Sequence, residues 1–381
     1  MKKPRLMTPG PAPVPEDVLL EMARPIIHHR SAEAKQIITD CAAGLKYVMQ
    51  TQNEVLILTS SGTGALEAAL VNTVQRGQKV IVLNAGWFAQ RWQKIAQAYG
   101  IEVVSLDFEW GQAVDPARLQ AALNEHPDTV MVCATLSETS TGTGHPIQTI
   151  GKIVAGTNAV LAVDGISGIG AMECRTDEWG VDILCVGSQK ALMLPPGLAF
   201  ISVNAKAWAK IDAFDAPAYY FNLKAARKKM VDFDTPYTPA HTLLMGLRVA
   251  LKRVQAEGIE QVWHRHSRMS EACQAGIRAL GLELFSERPA EGLTVFRVPE
   301  GLKEGDIRSK LSDRFGITTV GGQDKVKGKI VRIGHMGYFD ELDVVAGLSA
   351  LEMVLHDLGY KLTPGAAVSA AQRVLISGPS A

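Results

Sequence analysis

From residue 55 to residue 190 the chain alternates short, nearly continuous apolar runs with longer stretches of helical pattern. The runs fall at 55–59, 79–83, 102–106, 129–135, 159–163 and 181–186, and helical stretches begin near Ala65, Ala89, Asp115 and Ile147. Runs that are apolar throughout suit strands buried on both faces, and a helix between successive strands is the crossover that makes neighbours parallel. The pattern predicts an α/β fold whose large domain is a mainly parallel sheet with helices on both faces. Such sheets bind ligands in the crevice beyond the carboxyl ends of their strands. Five segments are delivered there: Ser61-Gly62-Thr63, Asn84 to Phe88, Ser137 to Gly142, Asp164 and Lys190.

The rest of the chain divides around this block. Residues 1–15 hold five of the eighteen prolines and are predicted as an extended arm, because proline has no N–H to give a helix or an interior strand. A large domain is predicted at 16–255. A smaller α+β C-terminal domain follows at 256–361, with strands near 294–298 and 329–333 and helices near 304–315 and 340–358. The Ala-, Gly-, Ser- and Pro-rich stretch 362–381 is predicted as a poorly ordered tail. His28, His29 and Arg30 sit in a polar turn, where capping a helix and serving a site are equal alternatives.

Lys190 follows the apolar run 181–186 and precedes Pro195-Pro196-Gly197, whose stiff backbone fixes the far side of the turn. Asp164 closes the run twenty-six positions earlier. An amine and a carboxylate at two strand ends match a cofactor with an aldehyde at one end and a ring nitrogen at the other, pyridoxal 5'-phosphate. The amine condenses with the aldehyde as a Schiff base, and the carboxylate keeps the pyridine nitrogen protonated so that the ring draws off electrons. By itself the pair is equally compatible with an ordinary strand-end lysine and an ordinary aspartate turn. Ser61-Gly62-Thr63 opens a helix after a strand, so unpaired N–H groups and two hydroxyls face any anion there; capping that helix is the commoner meaning of such a loop. Trp87 or Phe88 is a flat neighbour for a flat ring, and Thr139 is within reach of its substituents. Arg332, inside the apolar run 330–334, needs a partner: a substrate carboxylate or a buried acid.

Lys+Arg and Asp+Glu are equal at 39 each, which gives no charge excess for nucleic acid or an anionic membrane surface. The five cysteines are scattered, form no CxxC pair, and fit a reducing compartment. No run of about 18 apolar residues suggests a membrane span. A cytoplasmic protein acting on small molecules is the expectation.

Together, Thr8-Pro9-Gly10-Pro11, Ser61 to Ala68, Gly187-Ser188-Gln189-Lys190 and Arg332 to Gly337 resemble the class V aminotransferases of pyridoxal-phosphate fold type I. The likeness is to the alanine-glyoxylate and serine-glyoxylate (serine-pyruvate) enzymes, among them cyanobacterial members labelled soluble hydrogenase small subunit, and it covers residues 5–365. It implies that Lys190 is the Schiff-base lysine and Asp164 the partner of the pyridine nitrogen. It also implies that Ser61, Gly62 and Thr63 hold the phosphate, that Phe88 stacks on the ring, and that Thr139 and Gln189 contact the cofactor. Arg332 matches the arginine for the substrate carboxylate. Thr238, in Pro236-Tyr237-Thr238-Pro239, matches a threonine that reaches the phosphate of the neighbouring subunit, which implies a homodimer with shared sites. Where close relatives often have Pro-Pro-Thr/Ile-Asn, this chain has Pro239-Ala240-His241-Thr242, a change at the part given to the neighbour.

The resemblance implies transfer of an amino group from alanine or serine to glyoxylate or pyruvate, with aspartate and phosphonate substrates as further options. Two other readings compete. A cysteine desulfurase or another lyase of this fold needs a cysteine in the small-domain loop and usually a histidine before the lysine; residues 321–329 have no cysteine, and Gln189 precedes Lys190. An accessory subunit of a soluble hydrogenase-type complex would have little use for Lys190, Asp164 and Arg332 together.

Overall fold

The computed structural model describes residues 2–377. Its central sheet has seven strands: β1 (Glu54–Thr59), β2 (Lys79–Asn84), β3 (Glu102–Asp107), β4 (Met131–Thr135), β5 (Val160–Asp164), β6 (Ile183–Gly187) and β7 (Leu198–Val203). They lie in the order β1-β7-β6-β5-β4-β2-β3. All neighbours are parallel except β7, which runs antiparallel to both β1 and β6. Every residue of β4, β5, β6 and β7 is buried, as the unbroken apolar runs require. Around them closes one apolar core that includes Ile81, Trp92, Val132, Leu161, Leu184 and Phe200. Local chemistry starts several helices: Asp115 caps Pro116–Glu125 by accepting from Ala117 N (2.9 Å), with Pro116 in the first turn, where its missing N–H is not needed.

A second core, with Met269, Phe296, Val331, Leu351 and Leu355, gathers under a three-stranded antiparallel sheet in which Ile330–Gly334 lies between Leu293–Arg297 and Val320–Gly321. The arm is stitched between the two cores. Arg5–Leu6 pairs in parallel with Ile317–Thr318; Met7 O accepts from Gly334 N, and Ala12 N donates to Gln189 O, each at 2.9 Å.

The stretch from residue 362 departs from its expected disorder. Ala366–Ile376 is an α-helix packed along the Ile259–Ala279 helix, with Ala367 and Ala371 fully buried. Alanine is the best helix former and its small side chain permits close packing, so the Ala-rich composition favoured order. The Glu352 carboxylate secures the start by accepting from Gly365 N (3.2 Å) and Ala367 N (2.6 Å). Residues 378–381 of the expected tail lie outside the described residues. Among the described residues no helix is long and apolar enough to cross a membrane.

Candidate active site

The carboxyl ends of β1, β2, β4, β5 and β6 point to one edge of the sheet, because these strands share a direction. A cavity of about 310 Å³ opens there, lined by Ser61, Gly62, Thr63, Phe88, Thr139, Asp164, Gln189 and Lys190 among others. Eight of the ten residues singled out from the sequence thus meet in one space. Arg332 does not line it but is joined to its wall, donating from Nη1 to Thr139 O (3.0 Å) while Nε donates to Gly321 O (2.8 Å). Thr238 lies elsewhere, in a small separate pocket with Thr59, Tyr220, Thr235 and Tyr237. His28, His29 and Arg30 form a turn away from the cavity: Arg30 approaches Asp234 (3.7 Å), and it is Ser31 that caps the next helix through Ala34 N (3.2 Å).

Lys190 is buried and surrounded by competing influences. Desolvation pulls its amine down to about 8, the carboxylate of Asp164 opposes this, and the nearby Arg332 and Arg91 guanidiniums reinforce it. Its Nζ donates to Pro9 O of the arm. Gly10 lies against this amine so closely that a Cβ there would sit 2.3 Å from Nζ. Asp164 is buried too, and desolvation raises its carboxyl to about 6. Its Oδ1 accepts one hydrogen bond, from Ile166 N (2.9 Å). A carboxylate so buried, with no ion pair among the described residues, is poised for a cationic N–H partner.

Another part of the cavity wall is electropositive. Ser61 is the N-cap of the Gly62–Thr73 helix, yet its side chain makes no capping bond, which leaves the hydroxyl and the first helical N–H groups for an anion. Arg91 lines the same space and donates from Nη1 to Thr63 Oγ1 (2.9 Å), with its guanidinium 5.1 Å from the centre of the Phe88 ring. Of the two aromatic candidates, Phe88 lines the cavity, while Trp87 packs against the Trp110 and Phe285 cluster with Lys94 over its ring at 4.5 Å. Thr139 Oγ1 donates to Ser167 Oγ (2.6 Å), and Gln189 Oε1 is buried with no partner.

Arg332 has no carboxylate partner among the described residues. Glu304, whose charge it feels, is paired with Arg308 at 2.6 Å. Burial draws the guanidinium down to about 10. Nη2 and the second N–H of Nη1 make no protein hydrogen bond, so one edge of the fork is free for a ligand. Sequence reasoning missed Arg91, Ser167, Ile166, Gly10 and Pro11 as cavity residues, and placed Ser137 there only as part of its loop. Only Gly10 and Pro11 carried a signal, as part of the proline-rich arm.

An anion cradle, a buried carboxylate, a lysine of lowered basicity and an orphaned acceptor, all on the wall of one cavity, fit pyridoxal phosphate. Comparison with known proteins gives the same answer. The profile described as Aminotransferase class-V matches residues 9–344. The chain is 43% identical over 378 residues, 98% of each chain, to the soluble hydrogenase small subunit of Synechococcus sp. (strain PCC 6716). It is 35% identical, over 99% of this chain and 97% of the other, to the serine-glyoxylate aminotransferase of Methylorubrum extorquens. The solved structure of ureidoglycine-glyoxylate aminotransferase from Bacillus subtilis superposes with a TM-score of 0.92 at 30% identity, covering 98% of this chain and 99% of that one. With its sheet order, its lysine and carboxylate at neighbouring strand ends and a profile match across most of its length, the chain belongs to the class V aminotransferase family, as a fold type I enzyme that uses pyridoxal phosphate.

Proposed function

We propose that the enzyme moves the amino group of alanine or serine to glyoxylate or pyruvate, and that Lys190 and Asp164 are its central residues. The observation that carries this reading is that a buried lysine amine and a buried carboxylate without an ion-pair partner line one cavity at neighbouring strand ends. Pyridoxal phosphate, when bound, supplies an aldehyde carbon for the amino group and a ring that accepts the electron pair left on the substrate's α-carbon. In this reading Lys190 Nζ holds the cofactor and, once freed, takes the proton from the α-carbon; its lowered basicity keeps much of it neutral near pH 8. Asp164 holds a proton on the ring nitrogen. Ser61, Gly62 and Thr63 bind the phosphate, the Phe88 ring excludes water from one face, and Thr139 and Gln189 orient the ring. Arg332 takes the substrate carboxylate on its free edge.

A short side chain is supported by the size of the cavity, about 310 Å³, at the lower end for small-molecule sites and shared with the cofactor. The working form in this reading is a homodimer in which Thr238 reaches the neighbour's phosphate. Its separation from this chain's own cavity, beside the exposed Tyr219 and Tyr220, supports that assignment. A cytoplasmic location is supported by five cysteines that are all unpaired.

The test is an absorbance spectrum before and after alanine, then glyoxylate. Loss of the band near about 410–430 nm with the amino acid, and its return with the oxo acid, is the expected result; serine and pyruvate then rank the substrates. A protein that shows no band after soaking with pyridoxal phosphate, and that purifies in a stable heteromeric complex, would overturn the reading in favour of an accessory subunit. Arg332→Ala is expected to raise KM for the amino acid by about 10- to 100-fold while the cofactor band persists, the loss of a charge-assisted pair of hydrogen bonds. An unchanged KM would move the carboxylate site elsewhere.

A further inference from the structure

Glu138 is completely buried, yet neither of its oxygens meets a cation among the described residues. Four short-range donors hold it instead. Phe88 N (3.1 Å) and Ala89 N (2.9 Å) donate to Oε2; Ser140 N (3.0 Å) and Ser140 Oγ (2.6 Å) donate to Oε1. Ser140 Oγ in turn accepts from Trp87 N (3.0 Å). Ala89 is the first residue of the Ala89–Ala98 helix, which has no capping bond from its own N-cap, so the carboxylate does the capping from another loop. The approach is close enough to require Gly86, where a Cβ would lie 2.4 Å from the Glu138 carboxyl carbon.

The two segments joined in this way are the two that supply Phe88 and Thr139 to the cavity. We propose that Glu138 is a positioning residue for the amino-transfer site: it fixes the Phe88 ring and the Thr139 segment in register across the cofactor and sets a carboxylate behind them. The second half of this role is visible in the titrating groups around it, since the Glu138 charge favours the protonated forms of Lys190, Asp164 and Arg332 alike. A purely structural cap would do neither. Glu352 supplies the comparison: it is also buried, and it caps the Ala366–Ile376 helix with two backbone bonds, but in the second core.

This proposal rests on the reading that Phe88 and Thr139 meet the cofactor. The experiment compares E138Q and E352Q with the unmodified enzyme, measuring the dissociation constant of pyridoxal phosphate from apo-protein, the pH titration of the bound cofactor's visible band, and thermal unfolding. Glutamine keeps the shape of Glu138 but turns an NH₂ toward donors and removes the charge. E138Q is expected to weaken cofactor binding by about 10- to 100-fold, the loss of one or two charge-assisted hydrogen bonds at the cavity wall. It is also expected to lower the midpoint of the band titration by about half a unit or more, because a nearby negative charge is gone. E352Q lowers the unfolding temperature and leaves both cofactor readouts unchanged. If E138Q behaves like E352Q, with a lower unfolding temperature but cofactor affinity within twofold and an unmoved titration, Glu138 is a structural cap and the proposal fails. Should E138Q not fold, Ser140→Ala, which removes one of the four donors and keeps the charge, decides by the same affinity measurement: a loss of about threefold or more supports the proposal, and unchanged affinity overturns it. Failure of the unmodified enzyme to bind pyridoxal phosphate is a separate outcome and refutes the functional reading itself.

Discussion

Lys190→Ala is expected to abolish the visible band near about 410–430 nm and to lower turnover by more than about 10³-fold, since both the covalent hold and the proton-transfer base are removed. The effect is large because nothing in the cavity can replace the amine. Among the cavity-lining residues the other cationic side chain is Arg91, committed to Thr63. The variant should fold, as the residue on either side of the turn is anchored independently: Ser188 Oγ donates to Pro195 O (2.7 Å) and accepts from Leu198 N (3.2 Å), and Ala12 N is bonded to Gln189 O. Spectra and steady-state rates check the result. Retention of both band and turnover would refute the assignment of the lysine.

The second large effect is expected at Asp164. Asp164→Asn keeps the shape and an oxygen for Ile166 N but cannot hold a proton on a ring nitrogen, and kcat is expected to fall by about 10²- to 10⁴-fold with the visible band still present. The same substitution has an opposite consequence for the apo-protein. Burial raises the carboxyl from 3.8 to about 6 in the folded chain. A raised pKa in the folded state means that the stabilising contribution is complete below the unfolded value and is lost as pH rises through the folded one. Apo wild type therefore loses stability between pH 3.8 and about 6 relative to Asp164→Asn, so the variant is the more stable apo-protein at pH 7. Loading with pyridoxal phosphate supplies the missing cation and favours the wild type, which reverses the order. Thermal melts at pH 4 and pH 7, with and without cofactor, check both signs; an apo-variant less stable than wild type at pH 7 would show that Asp164 is satisfied without a ligand.

Lys190, Asp164 and the Ser61 loop were legible because their positions follow from the runs that precede them: an unbroken apolar strand fixes which end of the sheet its next residue reaches. The direction of β7 was not legible, since an apolar run carries no sign of whether its turn sends it back beside β6. Nor was Glu138: its loop was placed at the crevice, but the four donors that hold this one carboxylate come from two segments fifty residues apart. Arg91 was not legible either, because its place on the cavity depends on how the Ala89–Ala98 helix is rotated over the sheet. The helix at Ala366–Ile376 was misread because composition was weighed without packing, and its buried alanines find their partners in a helix begun more than a hundred residues earlier. Thr238 is the reverse case: it lines a pocket apart from the cavity, and its proposed role depends on a second copy of the chain.

The arm has a consequence for biosynthesis. Residues 5–12 are made before every partner that holds them: Gln189, then Ile317 and Thr318, then Gly334. The seven-stranded sheet is complete once residue 203 has been made, and can fold as a unit with the arm still loose. The arm that carries the carbonyl meeting Lys190 therefore has its full set of partners only after the last of these contacts is synthesised. A nascent chain stalled before residue 334 would carry the lysine and the carboxylate on a finished sheet but lack the Gly334 N–H that holds Met7 O, so one fastening of the arm over the cavity waits for the small domain's sheet.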